Sequence, residues 1–154
     1  MDHLKFLNSK EKKDILDSIR DQFNMNKMMM DHIFIKNNHE KLYIINNSLK
    51  NFDFSKLRIN SFGMYFGKVE KNGIRLSIEG SQIVGKLAKQ NVLELNNSQL
   101  KEWVKGNEIN IESESKGFVI IKHDNDYFGS GLIKNGILLN YFPKARRMKN
   151  VNDE

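Results

Sequence analysis

The residues best suited to chemistry form a short basic cluster near the end of the chain. Four cations stand there with no acid between them: Lys144, Arg146, Arg147 and Lys149. Cations at this density neutralise phosphate groups, and the forked arginine side chain can hold a phosphate through two hydrogen bonds. The cluster therefore predicts contact with a polyanion, although the same composition is also typical of a solvated terminal tail.

The charge of the whole chain favours the same kind of partner. The 154 residues carry a net charge of +6 at pH 7, which favours nucleic acid or an anionic membrane surface. No run of 18 apolar residues occurs, and the first seven residues have no apolar signal core. We therefore expect a cytoplasmic protein without a membrane partner.

Several kinds of catalytic site are excluded by the residues that the chain lacks. It contains no cysteine, which excludes disulfide scaffolds, thiolate zinc sites, iron–sulfur clusters and cysteine nucleophiles. No phosphate-binding GxxxxGK[ST], dinucleotide-binding GxGxxG or GxSxG motif is present. The histidines lack metal-ligand spacing; they are His3, His32, His39 and His123. We expect no enzyme, no cofactor and no metal site.

The first half predicts a helix followed by strands. Asn8 and Glu11 have the spacing of a capping box, and Ile15, Ile19 and Phe23 then repeat at helical period. The β-rich runs 32–35 and 42–45 predict a hairpin, and a long strand is expected over 61–70. A short helical turn is expected around 48–51 within the polar connection. We interpret residues 1–70 as a small α/β unit.

The second half predicts a β-rich unit with two short helices. Asn72-Gly73 is a strong tight-turn signal, and Gly106 is a natural helix end. The expected strands are 74–78, 92–95, 117–123, 127–134 and 137–141, and the expected helices are 79–89 and the segment around Leu100, Trp103 and Val104. Since no linker separates the halves, we expect an α+β fold in which units 1–70 and 71–149 are docked, with a disordered tail over 150–154.

The second half resembles a PUA domain, a module named for pseudouridine synthases and archaeosine transglycosylases. The opening Ile74-Arg-Leu-Ser-Ile-Glu-Gly-Ser-Gln resembles the first strand and helix of that family. The closing Leu139-Asn-Tyr-Phe-Pro143-Lys-Ala-Arg146-Arg147 is similar to the C-terminal module of Sun/nucleolar RNA 5-methylcytosine methyltransferases. The resemblance implies a pseudo-barrel of mixed strands that binds RNA. It does not imply the methylation, because those enzymes need a cysteine thiolate and an AdoMet domain.

The first half adds a second resemblance. Ser61-Phe62-Gly63 and Phe66-Gly67-Lys68 resemble the small ribosome-assembly proteins of the Nip type, in which an α/β pre-PUA domain is followed directly by a PUA domain. The whole layout is most similar to archaeal stand-alone forms. It implies a structured RNA, rRNA or tRNA, as partner in ribosome biogenesis or RNA modification. A ribosome-assembly or RNA-modification protein is a second expected partner.

The PUA likeness also implies an RNA surface between the first helix and the last strand of the module. We expect Lys86, Lys89, Arg75 and Tyr141 to contribute there, together with the basic cluster. Tyr141 would stack on a base, although a half-buried strand aromatic is the plainer interpretation. The loop after the first helix holds a single glycine, Gly85, where PUA domains often have several. The alternative function is therefore a protein–protein adaptor on a PUA scaffold that has lost RNA binding.

Overall fold

The described part of the chain folds into two five-stranded sheets with three α-helices. The computed structural model describes residues 3–26, 30–49, 63–113 and 115–149. In chain order, the elements are β1 (Leu4–Phe6), α1 (Ser9–Phe23), β2 (His32–Asn37), β3 (Lys41–Asn46), β4 (Met64–Glu70), β5 (Gly73–Leu76), α2 (Ile78–Gly85), β6 (Val92–Glu94), α3 (Asn97–Lys105), β7 (Ile109–Asn110), β8 (Gly117–His123), β9 (Asp126–Lys134) and β10 (Ile137–Asn140). The expected α+β class is confirmed.

The first helix begins where the capping box predicts. The Asn8 side chain accepts the Glu11 backbone N–H, and the Glu11 carboxylate accepts the N–H of Asn8. Ile19 and Phe23 are the buried residues of its apolar face. The preceding strand β1 was not predicted. It has only three residues, all exposed, so no alternation of buried and exposed positions marks it.

The first sheet runs in the order β1-β2-β3-β4-β5, with every pair antiparallel. Its last strand, β5, was expected in the second unit. Instead Gly67 pairs with Leu76, and Glu70 pairs with Gly73. The expected division at residue 70 falls at the turn of this hairpin, so one hydrogen-bonded ladder joins residues on both of its sides. The division into two domains stays a prediction.

The second sheet has the order β6-β8-β9-β10-β7 and forms a curled half-barrel. It mixes directions, because β6 runs parallel to β8 while the other pairs are antiparallel. Helix α3 begins with a second capping box, Asn96 with Gln99, and ends at Gly106 in the left-handed conformation (φ +92°). The mixed strands and two short helices match the expected pseudo-barrel.

Two apolar clusters form the core, and the first of them joins both halves. It packs Phe23 of α1 and Phe66 of β4 against Val84 of α2 and Ile120 of β8. The second lies within the second sheet around Trp103, whose indole N–H donates to the Phe128 carbonyl at 3.0 Å. The halves are therefore docked through a common core.

Some expectations fall outside the described residues. The short helical turn expected around 48–51 is a 3₁₀ turn at Asn47–Leu49, as far as the described residues extend. The beginning of the strand expected over 61–70 and the tail 150–154 lie outside them.

Candidate nucleic-acid interface

A cavity of about 250 Å³ lies where the two sheets meet at the start of α2. Three of the residues expected at an RNA surface line it: Arg75 from β5, and Tyr141 and Arg146 from the segment after β10. The cavity therefore brings together positions that are 66 and more residues apart in the chain.

Arg75 and Tyr141 form a stacked pair at the cavity wall. The guanidinium carbon of Arg75 lies 4.4 Å from the centre of the Tyr141 ring, which is cation–π distance. The Nη2 atom of the same guanidinium lies 3.2 Å from Glu70 Oε1. The buried Nε of Arg75 has no hydrogen-bond partner among the described residues. Because Ile74 and Leu76 point into the core, the alternation of β5 turns Arg75 outward.

Tyr141 presents part of its ring to solvent. It follows β10 and is 37% exposed. The Phe118 ring supports it in an edge-on contact, with 5.8 Å between ring centres. One part of Tyr141 therefore packs against protein while the rest is accessible at the cavity.

The start of α2 is held at the cavity by Ser77. The Ser77 hydroxyl accepts the Gly80 N–H at 2.9 Å and donates to the Tyr65 carbonyl at 2.6 Å. It thus caps the helix and ties it to β4, which is why the strand expected to reach Ile78 ends at Leu76. The N-terminal end of α2, which carries partial positive charge, consequently borders the cavity.

Arg146 reaches the cavity mouth through a short 3₁₀ turn, Lys144–Arg146, that follows Pro143. Its guanidinium donates to Glu79 of α2 at 2.8 Å. The side chains are 52% and 39% exposed, so solvent screens the pair and its net stabilisation is about 0–1 kcal/mol. Arg146 can therefore exchange this carboxylate for another anion at small cost.

Arg147 lies in a different environment from its neighbour. Its Nε–H donates to the Phe142 carbonyl at 3.1 Å, and the guanidinium packs on the backbone of Gly106. A Cβ at Gly106 would lie 2.5 Å from that Nε atom. The next residue, Met148, donates its N–H to the Val104 carbonyl at 2.8 Å. Arg147 therefore anchors the terminal segment on α3 and does not line the cavity.

Lys86 and Lys89 lie beyond the opposite end of α2. The helix ends at Gly85 instead of the expected Lys89, because the following loop turns onto α1. The N–H groups of Lys89 and Gln90 donate to the Phe23 carbonyl at 2.8 and 3.2 Å. Seven helical steps of about 1.5 Å separate Lys86 from Glu79, or about 10 Å. The structure thus places these lysines away from the cavity mouth.

This loop uses its backbone to cap α1. In addition to those two N–H groups, the Asn91 side chain donates to the Gln22 carbonyl at 2.6 Å. Amides at this position that already cap a helix are not free to receive phosphate. Lys86 and Lys89 keep exposed side chains, as do Lys144 and Lys149.

Tyr65 and Glu79 are among the cavity residues that were not expected at the site. Tyr65 lines the cavity together with Arg75, and burial raises the pKa of its hydroxyl. The signal was the alternation of β4, in which Phe66 points inward and its neighbour outward. Glu79 carried no signal, since its partner Arg146 lies 67 positions away.

Within the described ranges, no group of three or more His, Asp and Glu side chains is placed to hold a metal ion. No helix among those residues is long and apolar enough to cross a membrane.

Comparison with known proteins identifies the C-terminal module. Residues 90–148 match the family model described as the methyltransferase RsmF PUA domain. The chain therefore carries a C-terminal PUA module, which is an RNA-binding module, and the expected likeness to the Sun-type module is confirmed. The match includes Tyr141 and Arg146 but not Arg75, and the Nip-type layout of the whole chain stays a prediction. A search of curated proteins found no match.

Proposed function

We propose that this protein binds a structured RNA, either rRNA or tRNA, in the cytoplasm during ribosome biogenesis or RNA modification, and that it catalyses no reaction itself. One observation carries the proposal. The matched PUA module contributes Tyr141 and Arg146 to a cavity that Arg75 completes from the first sheet. An arginine, a tyrosine ring and exposed cations side by side are the groups with which proteins hold RNA phosphates and bases.

The phosphate contacts would come from the exposed cations after β10. Lys144 and Arg146 lie in the 3₁₀ turn, and Lys149 follows it with an exposed side chain. Since the Glu79 carboxylate is a weak partner, an RNA phosphate can replace it on Arg146. Arg147 has no place in this set, because its guanidinium is engaged by Phe142 and Gly106.

A purely binding role is supported by the chemistry of the cavity. The chain has no cysteine nucleophile, and the one carboxylate lining the cavity among the described residues, Glu79, is paired with Arg146. In this proposal the first half provides a surface for a ribosome-assembly or RNA-modification protein. The bound RNA is thereby presented to that partner, which carries out any reaction.

The test is a titration of a fluorescent structured RNA at several salt concentrations. Lys144→Ala with Lys149→Ala should weaken binding to all RNA sequences. It should also lower the slope of log affinity against log salt by roughly 0.7–0.9 for each phosphate that the variant no longer neutralises. The matched control is Lys10→Ala with Lys13→Ala, which removes the same charge from α1.

An unchanged affinity and an unchanged salt slope in the Lys144/Lys149 variant would overturn the proposed contacts between these lysines and RNA phosphates. If wild-type protein binds no RNA and instead retains protein partners after ribonuclease treatment, the adaptor function replaces the proposed one.

A further inference from the structure

We infer that the cavity accepts the base of a single unpaired RNA nucleotide, held jointly by the first sheet and the PUA module. This inference rests on the proposed RNA binding and gives the site a ligand. Its first support is the size of the cavity. A volume of about 250 Å³ lies below the roughly 300–1,000 Å³ of pockets for larger organic ligands. The space therefore suits one base rather than a stacked pair.

The walls of the cavity suit a flat ring better than a free anion. The lining surface is more apolar than polar, and Tyr65, Ile78, Tyr141 and Pro143 contribute to it. A phosphate ion placed against these apolar groups would lose water there, whereas Arg146 can bind a phosphate that stays at the mouth. An aromatic base loses little by leaving water and gains stacking on a tyrosine face.

One polar group in the wall still needs a partner. The hydroxyls of Ser77 and Ser130 donate to the carbonyls of Tyr65 and Leu76. In contrast, Arg75 lines the cavity with a buried Nε that has no partner among the described residues. A buried donor without an acceptor is costly, and a base carbonyl or ring nitrogen would accept from this Nε after a small shift of the Arg75 side chain uncovers it. The stack on Tyr141 keeps this guanidinium in place.

The charges at the mouth fit the phosphate of the same nucleotide. Arg146 stands there on an exposed, exchangeable ion pair with Glu79. Entry of the base would therefore bring the attached phosphate towards the Arg146 guanidinium, which can donate hydrogen bonds to it. A base inside a duplex must first be unstacked and unpaired, which costs a few kcal/mol. The site consequently favours a bulged, looped or terminal nucleotide over a duplex.

The test compares two hairpin RNAs that differ at one position. One carries a single bulged uridine, and the other carries an abasic ribose at the same bulge. Base stacking on an aromatic side chain accounts for roughly 5- to 150-fold in affinity, so the wild-type protein should prefer the bulged base by a factor in this range. Tyr141→Ala should bring the two affinities together, while Tyr141→Phe should preserve the preference.

A second variant separates this inference from the proposed function. Lys144→Ala with Lys149→Ala should lower the affinity for both RNAs by the same factor and leave the ratio of the two affinities unchanged. If wild-type protein binds both RNAs equally well, the base site is overturned while RNA binding stands. If it binds neither RNA, the proposed function itself fails.

A spectroscopic readout covers the case in which Tyr141→Ala unfolds. With 2-aminopurine at the bulge, stacking in the cavity should quench its fluorescence when wild-type protein or Tyr141→Phe is added. Fluorescence that rises to the level of a free, unstacked base would place the base outside the cavity and overturn the inference.

Discussion

Replacing Gln22 with alanine should loosen the junction between α1 and β5. The side-chain amide of Gln22 meets the backbone of Ile74 twice. Its oxygen accepts the Ile74 N–H at 2.8 Å, and its nitrogen donates to the Ile74 carbonyl at 3.0 Å. The amide thereby acts as a neighbouring strand for β5 on the side away from β4. Alanine removes both bonds and leaves two partly buried backbone groups without these partners.

The expected loss follows from those two bonds. A hydrogen bond contributes about 0.5–1.5 kcal/mol net, and a buried group left without a partner costs about 1–3 kcal/mol. Because the site is only partly buried, water can reach some of the freed groups. We expect the free energy of unfolding to fall by about 2–3 kcal/mol. The matched control is Gln82→Ala, an exposed glutamine on α2, which should change it by less than about 0.5 kcal/mol.

Urea unfolding followed by circular dichroism measures the difference. Both substitutions replace glutamine by alanine within a helix, so their difference cancels the gain in helix propensity. The midpoint should fall at an unchanged m-value in the Gln22 variant. Hydrogen exchange adds a local readout, since the Ile74 amide should lose protection. Equal midpoints for the two variants, or an Ile74 amide that exchanges as slowly as in the wild type, would refute the reasoning.

Two further predictions concern the arginines and Tyr65. Arg147→Ala should lower the free energy of unfolding by about 1–2 kcal/mol, because it removes the hydrogen bond to the Phe142 carbonyl. Arg146→Ala should lower it by less than about 1 kcal/mol, because its ion pair with Glu79 is exposed. Equal urea midpoints for the two variants would contradict these roles. Burial raises the pKa of Tyr65 above the ordinary value of about 10. As the pH rises, Tyr65 therefore ionises in the unfolded chain before it ionises in the folded one. The free energy of unfolding should stay constant below about pH 10 and decline above it, and the decline should be less steep in Tyr65→Phe. Denaturant melts between pH 9 and 11 measure this decline, and identical slopes in both proteins would rule it out.

Local signals made the helix ends predictable. The capping box of Asn8 with Glu11 and the left-handed Gly106 depend on residues a few positions apart, and both are found where expected. The predicted end of α2 at Lys89 was wrong, because the loop after Gly85 donates hydrogen bonds to carbonyls at the end of α1. That contact joins segments more than 60 residues apart, and no pattern within the helix indicates it.

Strand pairing shows the same limit. Asn72-Gly73 correctly predicted a turn and a strand after it. It could not show that this strand would complete the first sheet, because pairing depends on which edge is open. Strand β1 was not predicted, because three exposed residues show no alternation of buried and exposed positions.

The candidate site was predictable in its residue types more than in its arrangement. The sequence indicated Arg75, Tyr141 and Arg146 as RNA contacts, and the structure brings all three to one cavity. It grouped Lys86 and Lys89 with them because the PUA likeness implied an RNA surface between the first helix and the last strand of the module. Arg147 has the same charge as Arg146, and only packing against Gly106 distinguishes the two.

The core shared by the two halves limits how this PUA module could be moved between proteins. Ile120 lies within the matched module and packs in one cluster with Phe23, Phe66 and Val84 outside it. A fragment beginning at residue 71 would expose that apolar surface and leave β5 without β4. Such a fragment should aggregate unless a new host covers the same face. In a gene fusion or an engineered chimera, the transferable cassette would therefore have to include the first sheet and α1.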